Sequence, residues 1–265
     1  MAETHKLRTS DILAKTENFK RLNKKAEELA ASCFSAPVPS LDHLRMADYD
    51  VVYEPSDDTY LMLDALAYDF DIGEDKEHNE SSTIRTVLEI GAGTGVNSIY
   101  LGNVLKRRQE KHPVKQYVTD INEDAIRITL QSAVENGLES DRIEAHICDL
   151  ATPLLETLNQ QVDVIIFNPP YVPTDDDEVG SNGIEASWAG GTDGRVVLDR
   201  ALPQIAILLS RPNGVAYVIT VDDNKPEEIA MLMMRKYGIL VEPLVRRRAR
   251  NEFLTVLKMS ISRES

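Results

Sequence analysis

Thr86-Val87-Leu88-Glu89-Ile90 is a short, buried-type strand pattern, followed without a spacer by Gly91-Ala92-Gly93-Thr94-Gly95 and then by an apolar helical pattern from Val96 to Leu105. Strand, glycine loop and helix in this order belong to sheets wound from parallel strands and crossover helices. Glycine carries no Cβ and tolerates positive φ, so such a loop lets a nucleotide-like ligand approach the backbone closely. The spacing departs from the dinucleotide fingerprint, because its third glycine falls at Val96. Glu89, just ahead of the loop, disfavours a pyrophosphate and better suits a cationic or hydroxylated ligand.

The same alternation continues downstream. Val114 to Thr119 predicts a strand that ends in Asp120, with a helix from Asn122 to Asn136. Arg142 to Ile147 predicts a third strand, closed by Cys148-Asp149-Leu150, and Val162 to Phe167 a fourth, closed by Asn168-Pro169-Pro170-Tyr171. Asp120 sits where an acid accepts both ribose hydroxyls, and Asp149 where one accepts the exocyclic amine of an adenine, with Leu150 against the ring. One acid at a strand end is commonly a cap or turn residue. Three at successive strand ends beside one glycine loop are hard to attribute to turns. In a doubly wound sheet ligands bind outside the carboxyl ends of the strands near the switch point, so Glu89, Asp120, Asp149 and Asn168 are expected to converge. Asn168 brings an amide oxygen, and the two prolines remove backbone donors while leaving carbonyl acceptors on a stiffened turn. With the flat ring of Tyr171, these groups suit a planar substrate NH2, two acceptors holding its two hydrogens.

Upstream, residues 1–45 read as an extension, partly helical or disordered, ahead of one domain at 46–265. Phe19 to Ala31 has amphipathic spacing, with Lys20, Arg21, Lys24 and Lys25 as a solvated face, and Ser35 to Ser40 reads as an extended linker. Leu61 to Phe70 is helical in its spacing, Ser56 or Asp57 can cap it, and Thr59 stands near its N-terminus, where amides are unpaired. Residues 73–83 read as a solvated loop with His78 on the surface. After the fourth strand, Gly194 to Leu209 and Pro226 to Tyr237 are expected as helices and Gly214 to Val221 as a strand. Ile239 to Val245 and Glu252 to Met259 form a hairpin whose turn carries Arg246, Arg247, Arg248 and Arg250, read as solvated.

With 265 residues, 42% of them hydrophobic, the chain fits one α/β domain plus an appendage. No run approaches the roughly 18 apolar residues of a membrane span, and the N-terminus lacks the apolar stretch of a secretory signal. Glu3, Asp11, Glu17, Glu27 and Glu28 interrupt the basic residues that a transit peptide needs. The two cysteines, Cys33 and Cys148, lie in different regions and form neither a disulfide framework nor a metal site alone, which suits a reducing compartment. A formal charge of -15 repels phosphate backbones, so stable nucleic-acid binding is not expected and a protein partner is the more natural one.

Glu89-x-Gly91-x-Gly93-x-Gly95 resembles the first motif of class I S-adenosylmethionine-dependent methyltransferases. Asn168-Pro169-Pro170-Tyr171 resembles the signature of their amino-methylating branch, which acts on exocyclic amines of bases or on the side-chain amide of glutamine. Val52-Tyr53-Glu54-Pro55-x-x-Asp58-Thr59 and Gly183-Ile184-Glu185-Ala186-x-Trp188-Ala189-Gly190-Gly191-x-x-Gly194-Arg195 are similar to segments of the eukaryotic HemK-type enzymes that modify release-factor glutamine. The likeness spans about residues 35 to 260 and leaves out the leader and the acidic insert near residue 75. It implies a Rossmann-like α/β fold: a seven-stranded mixed sheet, helices on both faces, and an antiparallel C-terminal hairpin with the seventh strand reversed. It implies S-adenosylmethionine held by Thr59, Glu89, Gly91, Gly93, Asp120, Asp149, Leu150 and Asn168. Catalysis falls to Asn168, Pro169, Pro170 and Tyr171, and substrate contacts to Asn168, Pro169 and Tyr171. Two partners are implied: a small zinc-binding activator subunit that covers apolar surface near the cofactor site, and, as substrate, the Gly-Gly-Gln glutamine of the eukaryotic class-1 release factor. The implied location is cytoplasmic, with the nucleus open as well. Protein lysine, including histones, and adenine in DNA or RNA stand as alternative substrates, and a catalytically silent scaffold as a reading of another class.

Overall fold

The computed structural model describes residues 9–32, 38–72, 84–108, 113–180 and 184–261. Seven strands make one sheet: β1 (Thr86–Ile90), β2 (Lys115–Asp120), β3 (Ile143–Ile147), β4 (Val164–Phe167), β5 (Val215–Val221), β6 (Ile239–Ala249) and β7 (Glu252–Ile261). Their order is β3-β2-β1-β4-β5-β7-β6. The first five run parallel, and β7 is wedged antiparallel between β5 and β6. The helices are α1 (Thr9–Ser32), α2 (Asp57–Ala67), α3 (Val96–Arg108), α4 (Glu123–Glu135), α5 (Val196–Leu208) and α6 (Pro226–Tyr237). This is the mixed sheet with a reversed seventh strand and a C-terminal hairpin that the sequence leads one to expect.

Side chains alternate across the pleat, so neighbouring residues of each central strand feed opposite cores. Leu88, Ile90, Ile165 and Phe167 pack with Leu198, Leu202 and Ile205 of α5 and with Ile229 and Met233 of α6. Val87, Val164 and Ile166 pack on the other face with Leu61 and Leu66 of α2 and with Tyr100, Leu101 and Leu105 of α3. Covered on both sides, β4 is apolar throughout, Val-Ile-Ile-Phe, and wholly buried. α1 packs along β6. Its Phe19, Ala26 and Ala30 are buried, while Lys20, Arg21, Lys24 and Lys25 stand exposed on the other side.

The register sets the strand ends level. Ile90 lies opposite both Thr119 and Phe167, and Asp120 opposite Ile147. After β3 the chain returns to the far side of β1 to build β4, so the crossovers diverge between β1 and β4 and leave a crevice at the carboxyl ends.

Two expectations are corrected. The hairpin strands are longer than the spacing suggests, and β6 runs on to Ala249, so Arg246, Arg247 and Arg248 are strand residues and only Arg250 sits in the turn. Arg246 is 7% exposed rather than solvated. Its guanidinium donates to both Asp222 carboxylate oxygens at 2.6 and 2.9 Å, to Glu27 of α1 at 2.9 Å and to Thr255 Oγ1 at 3.0 Å, and it stacks 4.2 Å over the Phe253 ring. Burial of a charge is tolerated because acids from two other elements converge on it. Arg247 likewise pairs with buried Asp64 of α2. At α2 the expected cap holds, Ser56 taking the N-cap position with its N–H donating to Thr59 Oγ1 at 3.3 Å, and the second correction lies at the other end, where the α-helix stops at Ala67, short of the expected Phe70. A π-helical turn, Tyr68–Ile72, extends its far end. The expected loop at 73–83 with His78, and residues 35–37 of the expected linker, lie outside the described residues; Val38 to Ser40 have no regular structure. Among the described residues no helix is long and apolar enough to cross a membrane.

Candidate active site

The glycine loop turns sharply above β1. Ala92 N–H donates to Thr119 O at 3.0 Å and Gly95 N–H to Ala92 O at 2.7 Å. Gly95 has φ +79°, and a Cβ there would lie 2.8 Å from Thr129 Cγ2, so conformation and contact both require glycine. Glu89, 1% exposed, accepts from Ser98 N–H at 3.1 Å, from Asn97 Nδ2 at 3.2 Å and from the Ser98 hydroxyl. Burial pushes its carboxyl up to about 7, against the pull of those hydrogen bonds. Asp120 closes β2 and accepts from Gly93 N–H at 3.0 Å and Asn122 N–H at 2.9 Å; burial raises its pKa as well. Asp149 follows β3, is half-exposed, and pairs with Arg200 of α5. Leu150 beside it is buried at φ +54°.

These groups share one cavity of about 650 Å³. Thr59, Glu89, Gly91, Gly93, Asp120, Asp149, Leu150, Asn168 and Pro170 all line it. The convergence expected from four strand ends is therefore realised in space. Pro169, which is buried, and Tyr171 do not line the wall.

Behind Asn168 stands a residue to which the sequence reading gave no role. Asp58, in the first turn of α2 and 3% exposed, accepts from Asn168 Nδ2 at 3.1 Å, from the Tyr171 hydroxyl at 3.3 Å, from the Tyr53 hydroxyl at 3.3 Å and from Thr59 N–H at 2.7 Å. A carboxylate beside an asparagine must face its NH2, so Asp58 fixes which end of the amide is turned away. That end, Asn168 Oδ1, is buried and has no hydrogen-bond partner. A buried acceptor left unpaired costs free energy until a donor arrives. Burial and the Asp58 charge push the Tyr171 phenol far above its ordinary range and that of Tyr53 up to about 12. The signal for Asp58 was present in the Val52 to Thr59 motif, but its helix-start position attracts a capping explanation.

A family model described as Methyltransferase small domain matches residues 76–190. Methyltransferase HEMK2 of Homo sapiens is 39% identical over 235 residues, 88% of this chain and 100% of that protein. The chain belongs to the HEMK2 family of methyltransferases. The eRF1 methyltransferase catalytic subunit mtq2 of Schizosaccharomyces pombe is 34% identical over 232 residues, covering 85% of this chain and 95% of that protein. Among solved structures, the E. cuniculi Mtq2-Trm112 complex responsible for methylation of the eRF1 translation termination factor is 26% identical. It matches with a TM-score of 0.50 and covers 80% of this chain and 99% of that chain. In this member of the HEMK2 family the segment after the tetrapeptide folds back on it. Val172 N–H donates to Trp188 O at 3.0 Å and Gly190 N–H to Val172 O at 2.8 Å, while Ile184, Ala186 and Ser187 close one side of the cavity.

Proposed function

We propose that this chain transfers the methyl group of S-adenosylmethionine to the side-chain amide nitrogen of the Gly-Gly-Gln glutamine in the eukaryotic class-1 release factor, with residues 46–265 as the catalytic domain and 1–45 as an extension. The observation that carries the reading is the buried, unpartnered Asn168 Oδ1, held in orientation by Asp58 on the wall of the cavity. When bound, S-adenosylmethionine supplies a methyl group on a positively charged sulfonium. The cavity suits that group: close backbone at Gly91 and Gly93, Asp120 for ribose hydroxyls, Asp149 for an exocyclic amine, Leu150 for a ring, with Glu89 and Thr59 completing the wall.

An amide nitrogen is a poor nucleophile because its lone pair is conjugated. Asn168 Oδ1 accepts one of its hydrogens and favours a geometry that exposes the lone pair, whereas Pro169, the second acceptor expected from sequence, does not line the cavity. Asp58, accepting from Asn168 Nδ2, keeps that acceptor aimed at the substrate nitrogen. The surplus proton leaves after transfer. A protonated lysine would need a base first, and the strongly raised phenols of Tyr171 and Tyr53 do not supply one near neutral pH.

The same proposal includes a heterodimer with a small zinc-binding activator subunit and a cytoplasmic location, where that substrate acts. Support for the partner comes from the Mtq2-Trm112 complex and from exposed apolar side chains on the β2-α4-β3 unit: Ile121, Leu130, Val134 and Ile147. The test is to incubate the chain, with and without the partner, with labelled S-adenosylmethionine and either intact release factor or one whose Gly-Gly-Gln glutamine is replaced. Label on that glutamine, located by mass spectrometry and absent from the replaced factor, is expected; label elsewhere, or none despite measured cofactor binding, overturns the substrate.

A further inference from the structure

Pro169 and Pro170 have no N–H to anchor the catalytic tetrapeptide, so its position depends on what holds its carbonyls and the residues that follow. One side chain far away in sequence does this. Asn224 ends the short 3-10 turn after β5 and is 0% exposed. Its Oδ1 accepts from Val221 N–H at 2.8 Å, fixing it to the sheet, and its Nδ2 donates to Tyr171 O at 2.9 Å and to Asp193 O at 2.9 Å. The third segment is pressed in as tightly: Gly194 has φ +64°, and a Cβ there would lie 1.9 Å from Tyr171 O and 2.5 Å from Asn224 Nδ2. Three pieces of chain thus meet on a single amide: the end of β5, the tetrapeptide, and the return loop that carries Trp188.

We propose that Asn224 is a positioning residue for methyl transfer, acting through the Tyr171 backbone. Asn224 does not line the cavity. It holds the Tyr171 carbonyl, the Tyr171 hydroxyl then reaches Asp58, and Asp58 in turn orients Asn168. A small displacement at the first step misaims the last, and misalignment at a reacting centre is costly. The inference rests on the proposed function for the identity of the reaction, but not for the contact itself.

Asn224→Asp keeps the size of the side chain and the oxygen that accepts from Val221, and replaces the amide donor with a second acceptor facing two carbonyls. On the release factor with labelled S-adenosylmethionine, kcat is expected to fall about 10- to 100-fold while cofactor Kd, by calorimetry, stays within about twofold. Trp188 is the single tryptophan of the chain. Its fluorescence, read by acrylamide quenching, is expected to become more accessible in the variant, and this readout needs no substrate. If Asn224→Asp fails to fold, Asn224→Ser, which keeps one donor in a smaller side chain, carries the same comparison. Unchanged quenching, unchanged kcat, or kcat and cofactor affinity lost to the same extent each overturns the positioning role. A parent protein that leaves the glutamine unmethylated overturns the proposed function instead, and the quenching result then judges Asn224 alone.

Discussion

Asp58 gathers Tyr53, Thr59, Asn168 and Tyr171 around one buried carboxylate, and that convergence makes it the residue on which the orientation of the Asn168 amide depends. Asp58→Asn exchanges an obligate acceptor for a group that can equally present NH2 to Asn168, so the Asn168 amide loses its reason to keep Oδ1 outward. Kcat is expected to drop about 10- to 100-fold, as loss of a hydrogen bond to a charged group implies, with cofactor Kd changed no more than about threefold. Single-turnover kinetics and calorimetry separate the two, and equal losses in both would mean that Asp58 serves the cofactor side through Thr59. Asn168→Ala is expected to cost more, about 100- to 1000-fold in kcat, again with cofactor binding retained. Asn168 was legible from sequence because it stands at the end of an apolar strand, in the Asn-Pro-Pro-Tyr tetrapeptide. Asp58 was not, because its role exists only where residues 53, 168 and 171 are folded against it. Glu89 carries a further consequence. Its carboxyl sits near 7 in the fold against an ordinary 4.5, so between those values the folded chain holds a proton that the unfolded chain has released. The stability it contributes is complete below the lower value and lost as pH rises through the upper one, about 3 kcal/mol in all. Burial shifts Asp120 and Glu252 the same way. In cofactor-free protein, urea unfolding is expected to show stability declining from about pH 5 to about pH 8, and Glu89→Gln to flatten that decline; an unaltered slope in the variant would remove Glu89 as its source.

Elements that begin and end on strong punctuation were readable in advance. Gly91 stops β1, Asn122 caps α4 through its side chain at 2.9 Å from Asp124 N–H, and Pro226 and Gly238 bracket α6. The end of β6 was not, since a run of arginines has the composition of a turn and the acids that neutralise it lie 24 and 219 residues away in sequence. That long-range pairing also fastens α1 to the sheet. Arg246→Met can keep an apolar contact with the Phe253 ring but removes the guanidinium stack and the charge on which Glu27 and Asp222 converge. Those two carboxylates are 44% and 57% exposed and regain water readily, so the expected loss is about 1–3 kcal/mol, below the usual figure for breaking a fully buried pair. The urea midpoint reads the loss, and limited proteolysis is expected to cut within α1 before the remainder of the chain; a midpoint equal to the parent's would show that apolar packing alone retains the helix.

At the scale of the molecule the two sides of the sheet are treated differently. β6 has α1 packed along it, whereas β3 borders only β2 among the described strands and ends in Ile147, which is 56% exposed. Ile121 at 61%, Val134 at 59% and Leu130 at 36% belong to the same β2-α4-β3 unit, on a chain whose net charge of -15 otherwise favours a wet surface. An exposed strand edge flanked by apolar side chains invites addition of a partner, and each such side chain buried fully is worth about 1.5–3 kcal/mol. If the proposed activator docks here, Ile147→Lys is expected to weaken the heterodimer at least about tenfold, close to 1.4 kcal/mol, in size-exclusion and titration experiments. Leu240→Lys, at a 39% exposed position on β6, is the matched control and should leave the complex intact. Ile121 also lines the cavity, so if the proposed cofactor binds there, covering Ile121 would tie partner affinity to cofactor affinity, and the factor by which one tightens the other would be the same in both directions. Equal weakening by both lysines would point to a charge effect and not to a docking edge. Weakening by Ile147→Lys alone, with cofactor affinity of the isolated chain unchanged, would put the partner on β3 and make the cavity wall the route by which it acts.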